Sequence, residues 1–301
     1  MSAKPCVHTS VNVARKSARA TTQAETQVIE WTVPGFLHIL GGHMSTISRI
    51  FVLVVILVAA APAQWLNYPT AGLPRTRDGK PDLAAPTPKT ADGKPDLSGI
   101  WLPAGINHFM DLAADLKPED VPYQPWAKAL TDQRQGGVHK DDPLAQCMPP
   151  GVPRVETHGG HPFKIIQMPR ELVLLYETST NDVFREVFTD GRPLPQDPQP
   201  SWKGYSVGKW EGDTMVVDTI GFNDRGWLDT GMGRPQTEAL HVTERFRRRN
   251  VGNLEIGITI DDPKAYTKPW TAKINLKLVP DTELIETVCE NSRNTEHMVG
   301  K

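Results

Sequence analysis

Apolar and polar residues alternate along the chain from Pro162 onward. Residues Asn253–Ile260 (NLEIGITI) and Trp270–Val279 (WTAKINLKLV) keep a period of two, as a strand with one buried face does. Turn-forming residues such as Glu211-Gly212-Asp213 separate these segments, and no helix alternates with them. The pattern predicts a mainly β domain over 163–301, an antiparallel meander barrel or sandwich of lipocalin-like architecture. Its other predicted strands, rich in Val, Ile, Thr, Phe and Tyr, are 164–168, 171–177, 183–189, 204–210, 213–220, 239–247 and 282–289.

The segment 64–162 lacks this alternation and is rich in Pro and Gly. The hexapeptide DGKPDL occurs twice, at Asp78–Leu83 and Asp92–Leu97, and its Asp-Gly and Lys-Pro pairs predict two similar turns. One short helix is predicted over Pro125–Gln135, and a first strand around Ser98–Leu102. We therefore expect an irregular arm that either wraps across the barrel or has a function of its own.

A short apolar run near the start of the chain indicates export. Met44 opens a stretch that carries Arg49, continues as the apolar run Ile50–Pro62, and ends in Ala61-Pro62-Ala63. This is the pattern of a signal peptide over 44–63 that is cleaved before Gln64. A membrane anchor is the alternative, but a bilayer core needs about 20 apolar residues. Residues 1–43 are then a non-native extension, and the mature protein is secreted or periplasmic.

The composition of the mature part limits its partners. Residues 1–63 hold five of the 33 Lys and Arg and two of the 35 Asp and Glu, which leaves 28 basic and 33 acidic residues. An acidic balance argues against nucleic acid, which requires a basic face. The one basic run, Arg245 with Arg247–Arg249, is explained by a solvated strand edge or turn. After cleavage we expect no membrane anchor.

Two cysteines, Cys147 and Cys289, follow the predicted cleavage site. In an oxidising compartment such a pair predicts one disulfide, worth roughly 4–5 kcal/mol in the chain-entropy model. A metal site is the alternative, but neither cysteine belongs to a C-x-x-C motif.

Five stretches of the chain are distinctive: PDLSGIW at 95–101, TDGRPLPQDPQPSWKGYSVGKWEGDT at 189–214, GFNDRGWLD at 221–229, ALHVTERFRRR at 239–249 and TIDDPKAYTKPW at 259–270. In these stretches the sequence resembles a large family of secreted proteins of soil bacteria that is common in acidobacteria. The resemblance extends to an environmental-DNA hydrolase that opens N-acyl-homoserine lactones, the quorum-sensing signals. It therefore implies a lactone hydrolase, but it assigns no catalytic residue.

One serine motif is considered for nucleophilic catalysis. Gly204-Tyr205-Ser206-Val207-Gly208 matches G-x-S-x-G, and Asp218 or Asp224 followed by His241 gives the chain order of α/β-hydrolases. The motif requires a strand-to-helix turn, and here a turn and another strand follow. We favour the alternative, in which Ser206 lies on a barrel strand and the glycines relieve crowding.

Histidines and acidic residues offer metal chemistry. His158 and His161 flank two glycines and could reach one metal ion, although histidines near turns are usually only solvated. Carboxylates at turns, such as Asp213 and Asp218, suit Ca²⁺, but none forms a D-x-D-x-D-G loop, and turn capping explains most of them one by one. Ca²⁺ is thus a candidate cofactor, and no organic cofactor is expected.

The densest polar cluster is Gly221–Arg225, where Asn223, Asp224 and Arg225 lie between apolar strands. We expect this cluster to face a site, with His241 or Glu238 as a general base. Trp210 and Trp227 could line an apolar mouth for an acyl chain, although core packing is the more common role of tryptophan.

Two functional hypotheses follow. The first is a secreted hydrolase of small esters or lactones that acts through this cluster. The second is a non-catalytic β-barrel that binds an apolar small molecule or a surface glycan, because a closed meander encloses an apolar interior.

Overall fold

A computed structural model describes residues 68–135, 141–158, 160–178, 180 and 184–287. The predicted signal peptide and the predicted extension before it lie outside these residues, as does Cys289. Export and the Cys147–Cys289 disulfide therefore stay predictions. From Thr70 onward the described residues belong to one compact unit.

Strands dominate the described residues, and two α-helices accompany them. The helices are α1 (Asn107–Met110) and α2 (Pro125–Gln135), and single 3₁₀ turns cover Pro118–Asp120, Pro143–Gln146 and Arg154–Thr157. The strands are β1 (Gly99–Pro103), β2 (Phe163–Met168), β3 (Glu171–Tyr176), β4 (Phe184–Phe188), β5 (Tyr205–Glu211), β6 (Thr214–Ile220), β7 (His241–Asn250), β8 (Asn253–Asp261) and β9 (Trp270–Leu278). The prediction of α2 and of these strands is confirmed, with ends that differ by up to three residues. In the described part of the chain no helix is long and apolar enough to cross a bilayer.

The strands follow one another in chain order around a closed barrel, which β9 completes by pairing with β1. All neighbouring pairs are antiparallel except β4 and β5, which run parallel at Val187↔Ser206 and Phe188↔Val207. The segment 189–204 is long enough to return the chain to the end of the barrel at which β4 began. The predicted meander barrel is confirmed, and its sheet is mixed.

Inward-facing side chains fill the barrel because alternate positions of each strand share one face. On β8, Ile256, Ile258 and Ile260 are fully buried, and β9 contributes Ile274 and Leu276 from the facing positions. Fully burying one such side chain contributes about 1.5–3 kcal/mol. The interior is therefore a packed core.

The basic run lies at the end of β7. Arg245 pairs with both β6 and β8, whereas Arg247 and Arg248 pair with β8 alone and lead into the β7–β8 turn, in line with the strand edge or turn that the sequence suggested. Arg245, Arg247 and Arg249 point to solvent, whereas Arg248 is buried with its guanidinium 4.9 Å from the centre of the Trp101 ring. Arg248 Nη1 donates to the Asp96 carbonyl at 2.6 Å. The run thus combines three solvated cations with one that fastens the arm to the barrel.

The DGKPDL repeats form two turns of the same geometry, as predicted. In each, a threonine hydroxyl donates to an aspartate two residues later and to a lysine carbonyl four residues later: Thr76 in the first turn, Thr90 in the second. After the first turn, Leu83 and Ala85 accept hydrogen bonds from the β7–β8 turn at Gly252 and Val251. The arm is therefore wrapped against one end of the barrel.

The strand predicted over 282–289 is wrong for residues 282–287, which have no regular structure. Because β9 already pairs with β1, the barrel offers no free edge to a further strand. Residues 288–289 lie outside the described part of the chain.

Candidate functional site

A cleft of about 490 Å³ opens between α2 and the segment that connects β6 to β7. Four residues singled out in the sequence line it: Asp224, Arg225, Trp227 and Glu238. Its other lining residues are Trp126, Leu130 and Arg134 from α2, Asp141 and Pro143 after α2, and Gly226, Pro235, Gln236 and Thr237. Aromatic and aliphatic groups therefore share the cleft with charged groups of both signs, as in small-molecule sites.

The cluster Gly221–Arg225 takes its shape from a tight local turn. Gly221 has φ +78, and a Cβ there would lie 2.6 Å from Pro198, so this position requires glycine. Asn223 is buried and its Oδ1 accepts a hydrogen bond from the Arg225 amide at 3.0 Å. Gln236 Nε2 donates to the Asn223 carbonyl at 3.0 Å. These bonds leave Asp224 and Arg225 exposed to the cleft, and Asn223 supports them from behind.

A buried ion pair between Arg234 and Asp229 lies in the segment that connects β6 to β7. Arg234 Nη1 binds the carboxylates of Asp229 and Asp111, and its Nε donates to the Tyr123 hydroxyl at 2.6 Å. Asp229 Oδ2 also accepts from the Leu112 amide at 3.0 Å. Burial raises the pKa of Asp229, whereas the positive charge of Arg234 acts to lower it. The network ties residues 229–234 to the region around α1.

The charged groups of the cleft differ in how they are held. Glu238 pairs with Lys264, and the hydrogen bond from Lys264 lowers the pKa of the Glu238 carboxyl. Arg225 lies over the Trp202 ring at 5.0 Å. Asp224 is exposed, and none of the described residues forms an ion pair with it. Asp224 and Asp141 are therefore the cleft carboxylates that no described residue holds in an ion pair, and Asp224 is the one beside Arg225.

Ser206 does not belong to this cleft. It is buried on the inner face of β5, where its hydroxyl accepts from Arg185 Nε at 3.1 Å and lies 3.0 Å from Thr219 Oγ1. Asp224 lines the cleft, and His241 bonds Asp218 instead. The arrangement Ser206, Asp224 and His241 is thus not assembled, and the structural interpretation of Ser206 holds. Gly208 confirms the crowding, since a Cβ there would lie 3.0–3.1 Å from Met215, Thr189 and Val187.

His241 and Asp218 form a pair at neighbouring strands. His241 Nε2 lies 3.0 Å from Asp218 Oδ1, which also accepts from Thr243 Oγ1 at 2.8 Å. Both side chains are partly exposed on the outer face of the barrel. His241 is thus not among the residues that line the cleft. A role of this pair in the chemistry of the cleft would need a rearrangement.

Of the remaining metal candidates, only the two histidines lie together. Asp213 pairs with Lys89 at 2.9 Å, and His158 packs edge-on against His161 with ring centres 4.1 Å apart. His161 Nδ1 lies 2.8 Å from the Glu177 carbonyl. No group of three or more His, Cys, Asp or Glu suited to a metal ion occurs within the described residues. The residues proposed for Ca²⁺ do not form a common site there.

The two tryptophans have different surroundings. Trp227 is 4 % exposed and lines the cleft. Trp210 lies on the inward side of β5 and packs partly buried against the core. Of Trp210 and Trp227, the second alone is thus placed to contact a ligand in the cleft.

Two groups of residues escaped the sequence analysis. The first is a buried network in the barrel, where Arg185 binds Glu156 and Glu244. A signal for it exists, because Glu244 falls between Val242 and Phe246 on the apolar face of the predicted strand. The second is Arg134, which reaches the cleft from α2 and carries no local signal.

No protein-family model matches the chain, and no curated protein is significantly similar to it.

Proposed function

We propose that this protein is a secreted hydrolase of small esters or lactones, N-acyl-homoserine lactones among them, and that it acts in the cleft. The observation that carries the proposal is the convergence of Asp224, Arg225, Trp227 and Glu238 on one cavity. The sequence predicts Asp224 and Arg225 as part of a polar cluster, Glu238 as a candidate base and Trp227 as a candidate wall residue.

The walls of the cleft suit an acyl chain. Trp126, Leu130, Pro143, Trp227 and Pro235 present aromatic and aliphatic surface. Removing such a chain from water contributes about 25 cal/mol per Å² of apolar surface. The carbonyl of the ester or lactone would then lie among the polar groups at the turn around Asp224.

Asp224 is the proposed general base. It takes a proton from a water molecule as the water oxygen attacks the carbonyl carbon, and negative charge develops on the carbonyl oxygen. Arg225, the next residue in the chain, stabilises this oxyanion. When the intermediate collapses, the carbon–oxygen bond to the alcohol breaks and Asp224 returns the proton to the alkoxide. A lactone thus gains one water molecule and becomes a hydroxy acid.

Glu238 is the weaker choice of base because it is bound to Lys264, which lowers its pKa. Its proposed role is to orient the substrate. Replacing Asp224 by asparagine should therefore affect the rate of hydrolysis differently from replacing Glu238 by glutamine.

The test is mass spectrometry of N-octanoyl-homoserine lactone incubated with the purified chain, with and without a chelator. Ring opening above the buffer rate is expected, and Asp224→Asn should lower it by about 10²–10⁴-fold, the usual worth of a positioned base. Asp213→Asn, which alters a carboxylate paired with Lys89 outside the cleft, is the matched control. A rate no greater than buffer, or equal rates for the two variants, would refute the proposal. Loss of activity only when the chelator is present would instead indicate that a metal ion takes part in the reaction.

A non-catalytic binding protein is the second candidate. It is favoured by one observation: among the described residues, those that line the cleft include no His, Ser or Cys. Because packed side chains fill the barrel, the ligand would occupy the cleft and not the interior. A binder would quench the fluorescence of Trp126 and Trp227 saturably with no turnover, and Asp224→Asn would leave its affinity unchanged.

A further inference from the structure

Arg134, in the last turn of α2, projects into the cleft. Its guanidinium carbon lies 4.0 Å from the centre of the Trp227 ring, within the range of a cation–π contact. Its Nη1 donates to the Gly233 carbonyl at 2.7 Å. Two separate contacts thus fix the position of this cation at the wall of the cleft.

Gly233 shows how closely this arrangement is packed. It has φ +63, and a Cβ there would lie 2.8 Å from Arg134 Cδ and 3.1 Å from Trp227 Cζ3. A side chain at this position would displace the arginine. Because Gly233 has no side chain, the Arg134 guanidinium can lie between the loop at Gly233 and the indole ring of Trp227. It is thus in position before any ligand arrives.

The positive charge of Arg134 has no carboxylate partner. Within the described part of the chain no Asp or Glu forms an ion pair with it, whereas Arg154, Arg185 and Arg234 each bind at least one carboxylate. The neighbouring Asp142 is occupied by Arg154, which binds both of its oxygens. Burial lowers the pKa of Arg134, because the cation has lost part of its hydration. A half-buried guanidinium with donors to spare is suited to an anion.

The geometry points to Arg134 as the anion-recognition residue of the cleft, which binds the carboxylate of an amphipathic acid whose acyl chain lies against Trp126, Leu130 and Pro235. The inference deepens the proposed function, since the acid that ester or lactone hydrolysis releases belongs to this class. It predicts that the cleft prefers the ring-opened acid to the neutral compound, and therefore that product inhibits the reaction.

Other charges of the cleft do not cancel this preference. Glu238 is bound by Lys264. Asp224 and Asp141 are exposed to solvent, where their fields are partly screened, and neither forms an ion pair with Arg134 within the described residues. Asp141 acts on Arg134 through its charge, without a direct contact. The apolar wall formed by Trp126 and Leu130 lies on the same helix as Arg134, so one ligand can reach both.

The experiment measures binding to the full chain by isothermal titration calorimetry. The probes are N-octanoyl-homoserine, which carries a carboxylate, and N-octanoyl-homoserine amide, which is neutral and of nearly the same shape. Charge-assisted hydrogen bonds predict that the acid binds about tenfold to a hundredfold more tightly. Arg134→Gln should abolish this preference and leave the affinity for the amide within a factor of about two or three of the native protein. Arg134→Lys should keep part of it, because the charge remains while the planar fork is lost.

Arg245→Gln is the matched control, since Arg245 lies on the outer face of β7 and pairs with Glu211. It should keep the full preference. Equal affinity of the native protein for acid and amide would overturn the inference even if Arg134→Gln failed to fold. So would an equal loss of both affinities in a folded Arg134→Gln. A preference for the acid without any ring opening would overturn the proposed hydrolase and leave this inference standing.

Discussion

Replacing Arg185 by methionine should strongly destabilise the barrel. Arg185 is 2 % exposed and lies among the carboxylates of Glu156 and Glu244, both fully buried, at 2.8 and 2.5 Å. It also donates to Ser206 Oγ at 3.1 Å and Thr219 Oγ1 at 2.9 Å. Methionine fills much of the same volume, so the change removes charge and hydrogen bonds more than packing.

The magnitude follows from what remains behind. Removing one partner of a buried ion pair costs about 3–5 kcal/mol, because the other charge stays buried without compensation. Here Glu244 loses its only cation among the described residues, and Glu156, whose pKa burial raises to about 8, loses the hydrogen bond from Arg185. One oxygen of each carboxyl already has no hydrogen-bond partner there. Since small domains are stable by about 5–15 kcal/mol, Arg185→Met should remove a large part of the stability.

The assay is urea unfolding followed by tryptophan fluorescence. Arg245→Met, which breaks the exposed pair with Glu211, is the matched control and should cost about 1 kcal/mol or less. Adding Glu156→Gln and Glu244→Gln to Arg185→Met should recover part of the loss, because no buried charge then remains. The reasoning is refuted if Arg185→Met costs no more than Arg245→Met, or if the triple variant is as unstable as the single one.

Three further predictions follow from individual side chains. Burial raises the pKa of Glu156 from 4.5 to about 8, so the folded state keeps a proton that the unfolded chain has lost. Stability should therefore fall between pH 4.5 and 8 by up to about 1.4 kcal/mol per pH unit, and Glu156→Gln should flatten this slope in unfolding titrations. Gly233→Ala should lower the melting temperature more than Gly212→Ala, because both have φ near +60 but only Gly233 has neighbours within 4 Å; equal shifts would show that backbone conformation alone matters. Arg248→Met should cost several kcal/mol in urea unfolding and increase proteolysis of the arm, since Arg248 Nη1 holds the Asp96 and Ser98 carbonyls; an unchanged cleavage rate would contradict the fastening role.

Local patterning determined most of the barrel. β8 and β9 were predictable to within one residue because every second side chain faces the core and must be apolar. The same rule places Ser206 inside, next to Arg185, and Asp218 outside. Because Ser206 and Asp218 lie on opposite faces of the sheet, the alternation alone argues against a serine–aspartate–histidine site that contains both.

The candidate site was only half accessible to such reasoning. Asp224, Arg225 and Trp227 fall within one short polar stretch, so their proximity is local. Arg134 lies 99 residues from Gly233, the residue it binds, and nothing in α2 distinguishes it from a solvated helical arginine. That contact exists only because the loop between β6 and β7 packs against the helix.

By itself, the amino-acid sequence determined the strands, the helix α2, the two repeated turns and the polar cluster at Gly221–Arg225, because each depends on neighbours along the chain. Closure of the barrel, the parallel pairing of β4 with β5, the loss of the strand predicted over 282–287 and the position of Arg134 in the cleft were decided by tertiary structure. Each of these depends on which surfaces and edges meet in space. A closed sheet has no free edge with which a further strand could pair. Arg134 lies at the cleft only because Trp227 and Gly233, distant in the chain, pack against it.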